Sequence, residues 1–261
     1  MRIIYNQPHS GESDDTEGHI ERALKELGHE VVRDGEGDIY LFHKHFNPPK
    51  EFTGKIVCWY FDKIWNQRIA WFHKIYPKVD YFFMTDGTWA RNYKKCIVLR
   101  QGIGDPTPGE YEDRNIDVAF VGLPYGERQE LTDFLEKTYK KRFKIYSHQF
   151  NRNLNNICTS IPIFVAPKFP SDNSYWSNRV YLLVGSGAFL VHPYLQELYE
   201  EWGDNLVYYK TLDELKEKVD YYLANPKERE RQRKKSYKYC VKNFTYKKRV
   251  EKLIEHVKTS K

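Results

Sequence analysis

The residue pattern predicts an α/β protein made of two parallel sheets, each covered by helices on both faces. Three observations carry this. Short apolar runs alternate with segments of helical length along the 261 residues. The alternation breaks once, in a stretch rich in Gly, Pro and acids, and then starts again. A chain of this length also exceeds the roughly 100–200 residues of a usual single domain, so two modest domains are expected.

In the first half, "RIIYN" (2–6) reads as a strand. "SDDTEGHIERALKELGHEVV" follows as a helix: Ile20, Ala23, Leu24 and Leu27 recur at helical spacing, acids crowd the first turn and Gly28 stops it. Strands are expected at "DIYLF" (38–42), "KIVCWYF" (55–61), "DYFFM" (80–84) and "CIVLR" (96–100). "NQRIAWFHKIY" and "TWARNYKK" are the helix-length spacers between them. "QGIGDPTPGEYEDRN" (101–115) has no periodicity and reads as the linker.

The second half restarts with strand "IDVAFVG" (116–122), helix "ERQELTDFLEKTYKK", strand "FKIYS" (143–147), the helix-like "QFNRNLNNICTS" and strand "PIFVA". "SYWSNRVYLLVGSGAFLVHPY" (174–194) comes next, then strand "NLVYY" and helix "TLDELKEKVDYYLANP". The tail reads as two more helices with Thr245 as a cap between them and Val250, Leu253, Ile254 and Val257 as an apolar stripe. The pattern is that of two Rossmann-like domains, with boundaries at 1–108 and 109–245 and a C-terminal helix, 246–261, returning toward the first domain.

The 174–194 stretch is the most informative. Residues Trp176 to Val184 fit a helix, Gly185 and Gly187 its end and a tight turn, and "AFLV" the next core strand. The helix start near Ser174–Asn178 would then aim free N–H groups and Arg179 at the carboxyl edge of the sheet, which suits a phosphate. The alternative is an N-cap with a surface arginine.

Composition excludes several classes. The chain carries 42 Lys plus Arg against 36 Asp plus Glu, a net +6, with the excess concentrated between Lys227 and Lys252. At helical spacing that run reads as a solvated helix face that is compatible with an acidic acceptor. Cys58, Cys96, Cys158 and Cys240 lie far apart, without metal-site spacing, and read as reduced thiols. No stretch of about 18 apolar residues occurs, and the start lacks the features of a signal peptide, so a cytoplasmic protein without a membrane span is expected. In "FHKHF", His43 and His45 share one face of an extended chain, as two metal ligands would, but no third ligand stands near.

"SNRVYLLVGSGAFLVHPY", followed by "LVYYKTLDELKEKVDYYLANPKERERQRKKSYKYCVKNFTYKKRV", resembles the C-terminal domain of GT-B glycosyltransferases. The likeness is to the CgeB-like, glycosyl-transferase-group-1-like branch and covers about residues 116 to 258. The first half is similar in layout through "GHIERALKELGHEV", "CWYFD" and "DYFFMTDG". The resemblance implies two domains facing a central cleft, with C-terminal helices packing back across them. The first domain would hold the acceptor, and the second would bind a nucleotide sugar, a UDP- or GDP-sugar, as co-substrate.

The resemblance also implies that Arg179, with Ser177 and Asn178, stabilises the leaving diphosphate without a metal ion. The absence of a D-x-D agrees with this. Two positions depart from the family pattern. A glutamate that grips the ribose in many retaining relatives is replaced by Leu182, and a second family glutamate would fall near Ser174 or Tyr175.

Further candidates follow from their places at strand ends. Gly122 and Leu123 would offer backbone N–H groups to the donor, and Lys168 a charge for its diphosphate. Ser147 and His148 would meet the base, and Gly11 in "HSGES" would allow close backbone approach. Asp62 and Asp86 end strands where an acceptor hydroxyl would need a base, although an aspartate there also serves as a helix cap. The expected activity is transfer of a sugar to a hydroxyl acceptor on a saccharide or protein. The alternatives are a hydroxymethylated base in DNA as acceptor, as in phage DNA glucosyltransferases, and a non-catalytic nucleotide- or glycan-binding module.

Overall fold

The structure is a computed structural model that describes residues 1–7, 16–43, 48–104, 115–147, 151–167 and 174–259. Its contacts divide the chain into two units. One comprises Met1–Gly104 and Phe244–Lys261, the other Asp105–Asn243.

The first unit runs β1 (Arg2–Ile4), α1 (Thr16–Glu26), β2 (Glu30–Val32), β3 (Ile39–Phe42), β4 (Lys55–Tyr60), α2 (Gln67–Ile75), β5 (Tyr81–Met84), α3 (Gly87–Ala90) and β6 (Cys96–Val98). Its six strands are all parallel, in the order β2-β1-β3-β4-β5-β6. The near-continuous apolar runs of β4 and β5 follow from burial on both faces. Val57, Trp59 and Phe83 enter one core with α1, whereas Cys58, Tyr60, Phe82 and Met84 enter the other with Phe72 and Ile75 of α2.

The second unit runs β7 (Val118–Val121), α4 (Glu127–Tyr139), β8 (Phe143–Tyr146), α5 (Asn151–Ser160), β9 (Ile163–Val165), α6 (Arg179–Gly185), β10 (Leu190–Pro193), α7 (Gln196–Trp202), β11 (Val207–Tyr209), α8 (Leu212–Ala224) and α9 (Pro226–Asn243). Its five strands are also parallel, ordered β11-β10-β9-β7-β8. Both sheets thus place their first strand between their second and third.

The last helix, α10 (Tyr246–Thr259), is part of the first unit. Ile103 bridges Thr245, and the predicted stripe of Val250, Leu253, Ile254 and Val257 is buried in the same core as α1. Thr245 Oγ1 accepts from the Lys248 N–H at 3.3 Å, as a cap does.

Three elements differ from the sequence expectation. Strand β2 lies in "EVV", after the expected helix stop at Gly28, where no strand was expected; three residues on a sheet edge are too few to show alternation. Helix α3 is only four residues long, because the apolar spacing of Trp89 and Tyr93 belongs to tight turns that bring both rings against Phe72, at 5.5 and 4.7 Å. Helix α7 was not anticipated, although Leu198 and Trp202 stand four residues apart and are both buried.

Candidate functional site

In an open parallel sheet, connections leaving the first strand and its neighbour in opposite directions open a crevice at the carboxyl ends of the strands. In the second unit that place lies between β7 and β9. A small pocket occupies it, lined by Val121 from β7, Val165 at the end of β9 and the following Ala166, and Ser177, Arg179 and His192.

At the end of β7, Gly122 takes a backbone conformation that a side chain would strain. Its φ is 144°, and a Cβ there would stand 3.5 Å from Arg179 Cζ and 3.3 Å from the Phe120 ring. Glycine adopts this conformation without the steric cost that a side chain adds. The Arg179 guanidinium therefore lies against the end of β7.

Arg179 Nη1 donates to Ser177 Oγ at 3.3 Å, and no carboxylate among the described residues forms an ion pair with it. A second guanidinium stands near. Arg128, in the first turn of α4, is 9% exposed and stacks 4.7 Å from the Tyr125 ring. The Arg179 pKa is held below its ordinary value by burial and then by the Arg128 charge. The two like charges stand close together in a partly buried place, which raises the cost of keeping Arg179 charged.

The expected helix end needs correction. Helix α6 begins at Arg179, not at Trp176, and its first N–H groups are occupied. The Arg179 N–H donates to Ser177 Oγ at 3.4 Å, that of Val180 to the Ser177 carbonyl at 3.2 Å and that of Tyr181 to the Asn178 carbonyl at 3.0 Å. The free N–H groups expected at this helix start are therefore not available to a ligand, and the Arg179 side chain is a polar group that reaches the pocket. The preceding residues are held from α7: Ser174 Oγ donates to Glu197, Trp176 Nε1 donates to Tyr181 Oη at 3.1 Å, and Tyr181 Oη donates to Glu201 at 2.8 Å. Asn178 Oδ1 is buried and accepts no hydrogen bond among the described residues. Leu182 is half-buried on α6.

The basic tail also acquires a structural role. Arg233 of α9 donates to the Gly187 carbonyl at 2.9 Å and pairs with Glu230, and Arg231 pairs with Glu228, each at 2.6 Å. The charge run laces its own helix and caps the turn after α6.

The other candidates divide. Asp86 is 2% exposed, with Oδ1 accepting from the Trp89 N–H at 3.0 Å and Oδ2 from the Ile64 N–H at 3.2 Å. It is the cap of α3, and the base role assigned to it gives way to that. Asp86→Ala is expected to cost about 1–2 kcal/mol of stability while leaving nucleotide affinity unchanged; chemical unfolding and titration check both. Asp62 is partly exposed beyond β4 and pairs with Arg68 at 3.4 Å. Ser147 and Leu123 are exposed, after β8 and β7. Gly11, His45, His148 and Lys168 lie outside the described residues.

Both ring nitrogens of His43 are engaged within the first unit. Its Nε2 is hydrogen-bonded to Tyr5 Oη and its Nδ1 to the Trp59 carbonyl, both at 2.7 Å. Among the described residues no group of acids, histidines or cysteines is placed to hold a metal. The four cysteines are free, and burial raises the pKa of Cys58, Cys96 and Cys158.

Loss of solvation pushes both His43 and His192 down to about 4. Unfolded histidines bind protons near pH 6.5 while these two resist them, so their stabilising contribution is complete above that pH and is lost as pH falls toward 4. Each is worth about 3 kcal/mol across the window. Urea midpoints are expected to drop between pH 7.5 and 5, and a flat profile would contradict this.

Sequence reasoning missed Arg128, His192, Glu197 and Glu201. For Arg128 a signal existed, a cation in the first helical turn after the first strand of the second half; the others are joined to the site only by tertiary contacts.

Two Rossmann-like units with these sheets define the class: the fold is that of GT-B glycosyltransferases. Residues 111–255, more than half of the chain, match the family described as glycosyl transferase-like, and the chain belongs to that family. None of the curated proteins matches it in sequence.

Among solved structures, it is similar to an alpha1,3-fucosyltransferase with GDP, at 10% identity and TM-score 0.60, over 99% of this chain and 88% of that one. It is similar to AviGT4, a glycosyltransferase involved in avilamycin A biosynthesis, at 12% identity and TM-score 0.55, over 98% and 96%. It is also similar to a mutant of S. aureus TarM in complex with Fondaparinux, alpha-GlcNAc-glycerol and UDP, at 9% identity and TM-score 0.61, over 92% of this chain and 58% of that one.

Proposed function

We propose that the chain is a nucleotide-sugar-dependent glycosyltransferase that moves a sugar from a UDP- or GDP-sugar to a hydroxyl acceptor. The observation that carries this reading is the Arg179–Arg128 pair set against Gly122 at the crevice of the second sheet. As the glycosidic bond breaks, negative charge grows on the departing diphosphate, and fixed guanidinium groups stabilise it without a metal ion. The GDP- and UDP-bound fold neighbours support the same donor class. Asp62 is the remaining candidate for the carboxylate that takes the acceptor proton.

A saccharide is the favoured acceptor. In the basic run, Arg231 and Arg233 are engaged with Glu228, Glu230 and the Gly187 carbonyl, which supports a structural use of these two charges. A second reading, donor or glycan binding without turnover, is favoured by Leu182 in place of the ribose-gripping glutamate. Calorimetric titration with UDP, GDP and their sugars, followed by an assay of nucleotide release, decides among them. Affinity with release supports the transferase, affinity without release supports the donor binder, and no affinity for any nucleotide or nucleotide sugar removes both of these and leaves only glycan binding.

A further inference from the structure

Burial of His192 is costly unless its polar atoms are used. It stands on β10, 3% exposed, and lines the same pocket as Arg179. Its Nδ1 lies 2.8 Å from the Pro193 carbonyl. A carbonyl only accepts, so Nδ1 carries the proton and Nε2 keeps its lone pair. No hydrogen bond to Nε2 is formed by a described residue, and Nε2 is not among the side-chain atoms sealed from solvent, so it is open to a ligand or water in the pocket.

The rest of the pocket sharpens what such an acceptor is for. Val121, Val165, Ala166, Val180, Leu183 and Leu195 make the walls largely apolar, with Arg179 and Ser177 as further polar groups. A neutral acceptor near a guanidinium suits a ligand that has an anion at one end and a hydroxyl beside it. A phosphate repels lone pairs, and an apolar group leaves Nε2 unsatisfied.

We propose that His192 is a specificity residue whose Nε2 accepts a hydrogen bond from a carbohydrate hydroxyl adjoining the diphosphate. This rests on the nucleotide-sugar reading above. It also offers an answer to Leu182: the second unit reads a hydroxyl from β10 with an imidazole rather than from α6 with a carboxylate. The hydroxyl belongs to the ribose on one side of the diphosphate or to the transferred sugar on the other.

The test titrates wild type, His192→Phe and His192→Gln with UDP, GDP, their 2′-deoxy and 3′-deoxy forms and the corresponding nucleotide sugars. Phenylalanine keeps the ring volume and removes the acceptor, whereas glutamine restores an acceptor oxygen. A ribose contact predicts that wild type loses about tenfold in affinity on removal of the hydroxyl, in the range of one hydrogen bond. The Phe variant would erase that preference and the Gln variant would recover part of it. A contact to the transferred sugar places the same pattern in the ratio of nucleotide sugar to nucleotide.

Wild type that binds every member of each pair alike overturns the proposal without any variant, which covers a Phe variant that fails to fold. A folded Phe variant that keeps the wild-type preferences also overturns it. If wild type binds nucleotides and Arg179→Ala does not, the donor-site reading survives that result. If wild type binds none, that reading itself has failed.

Discussion

Arg179→Ala is expected to weaken UDP or GDP binding by about 10- to 100-fold, the value of one charge-assisted hydrogen-bonded contact. The effect on kcat/KM should be larger, about 100- to 1000-fold, because the diphosphate gains charge as the sugar leaves. The structural reason is that this guanidinium, lying 3.5 Å from where a Gly122 Cβ would stand, pairs with no carboxylate among the described residues. Arg128→Ala should act in the same direction, and because the two charges influence one another the double variant should lose less than the sum of the singles. Calorimetry on the four proteins gives the cycle. Unchanged affinity in both single variants would remove the diphosphate from this site.

Leu253→Ala is expected to destabilise the first unit by about 2–5 kcal/mol, the range for a fully buried leucine. Leu253 is 0% exposed in a core shared with Tyr5, Leu24, Val57 and Trp59. Removing residues 244–261 altogether would strip Tyr246, Val250, Leu253, Ile254 and Val257 from that core and end the Ile103–Thr245 bridge. The first unit should then fail to fold. Urea unfolding of the point variant and hydrogen exchange of the truncated chain measure the two effects, and a truncated chain with protected β1, β3 and β4 amides would contradict the second.

The site was partly legible in the sequence. Arg179 and Gly122 stand at signals with a local cause, an arginine before a glycine turn and a glycine closing an apolar strand, but the Gly122 N–H expected to face the donor instead donates to the Tyr146 carbonyl at 2.9 Å. Asp86 shows the limit of the same reasoning. A strand-end aspartate suits a base or a cap equally well, and only the N–H groups of Trp89 and Ile64 on its two oxygens assign the cap. His43 is similar: its spacing to His45 suggested a metal, whereas Tyr5 and Trp59 already hold both ring nitrogens.

The parallel α/β class, the ten strands with clear apolar runs and the stripe of α10 are determined by local pattern, because period and burial are written in neighbouring residues. The strand order, which puts β7 beside β9 and opens the crevice there, is decided by tertiary pairing. The same holds for Arg128 beside Arg179, His192 in their pocket, and the Glu197 and Glu201 contacts that hold the 174–181 segment. Residues brought together from separate elements leave no spacing in the chain. Their chemistry arises only where the folded sheet makes them neighbours.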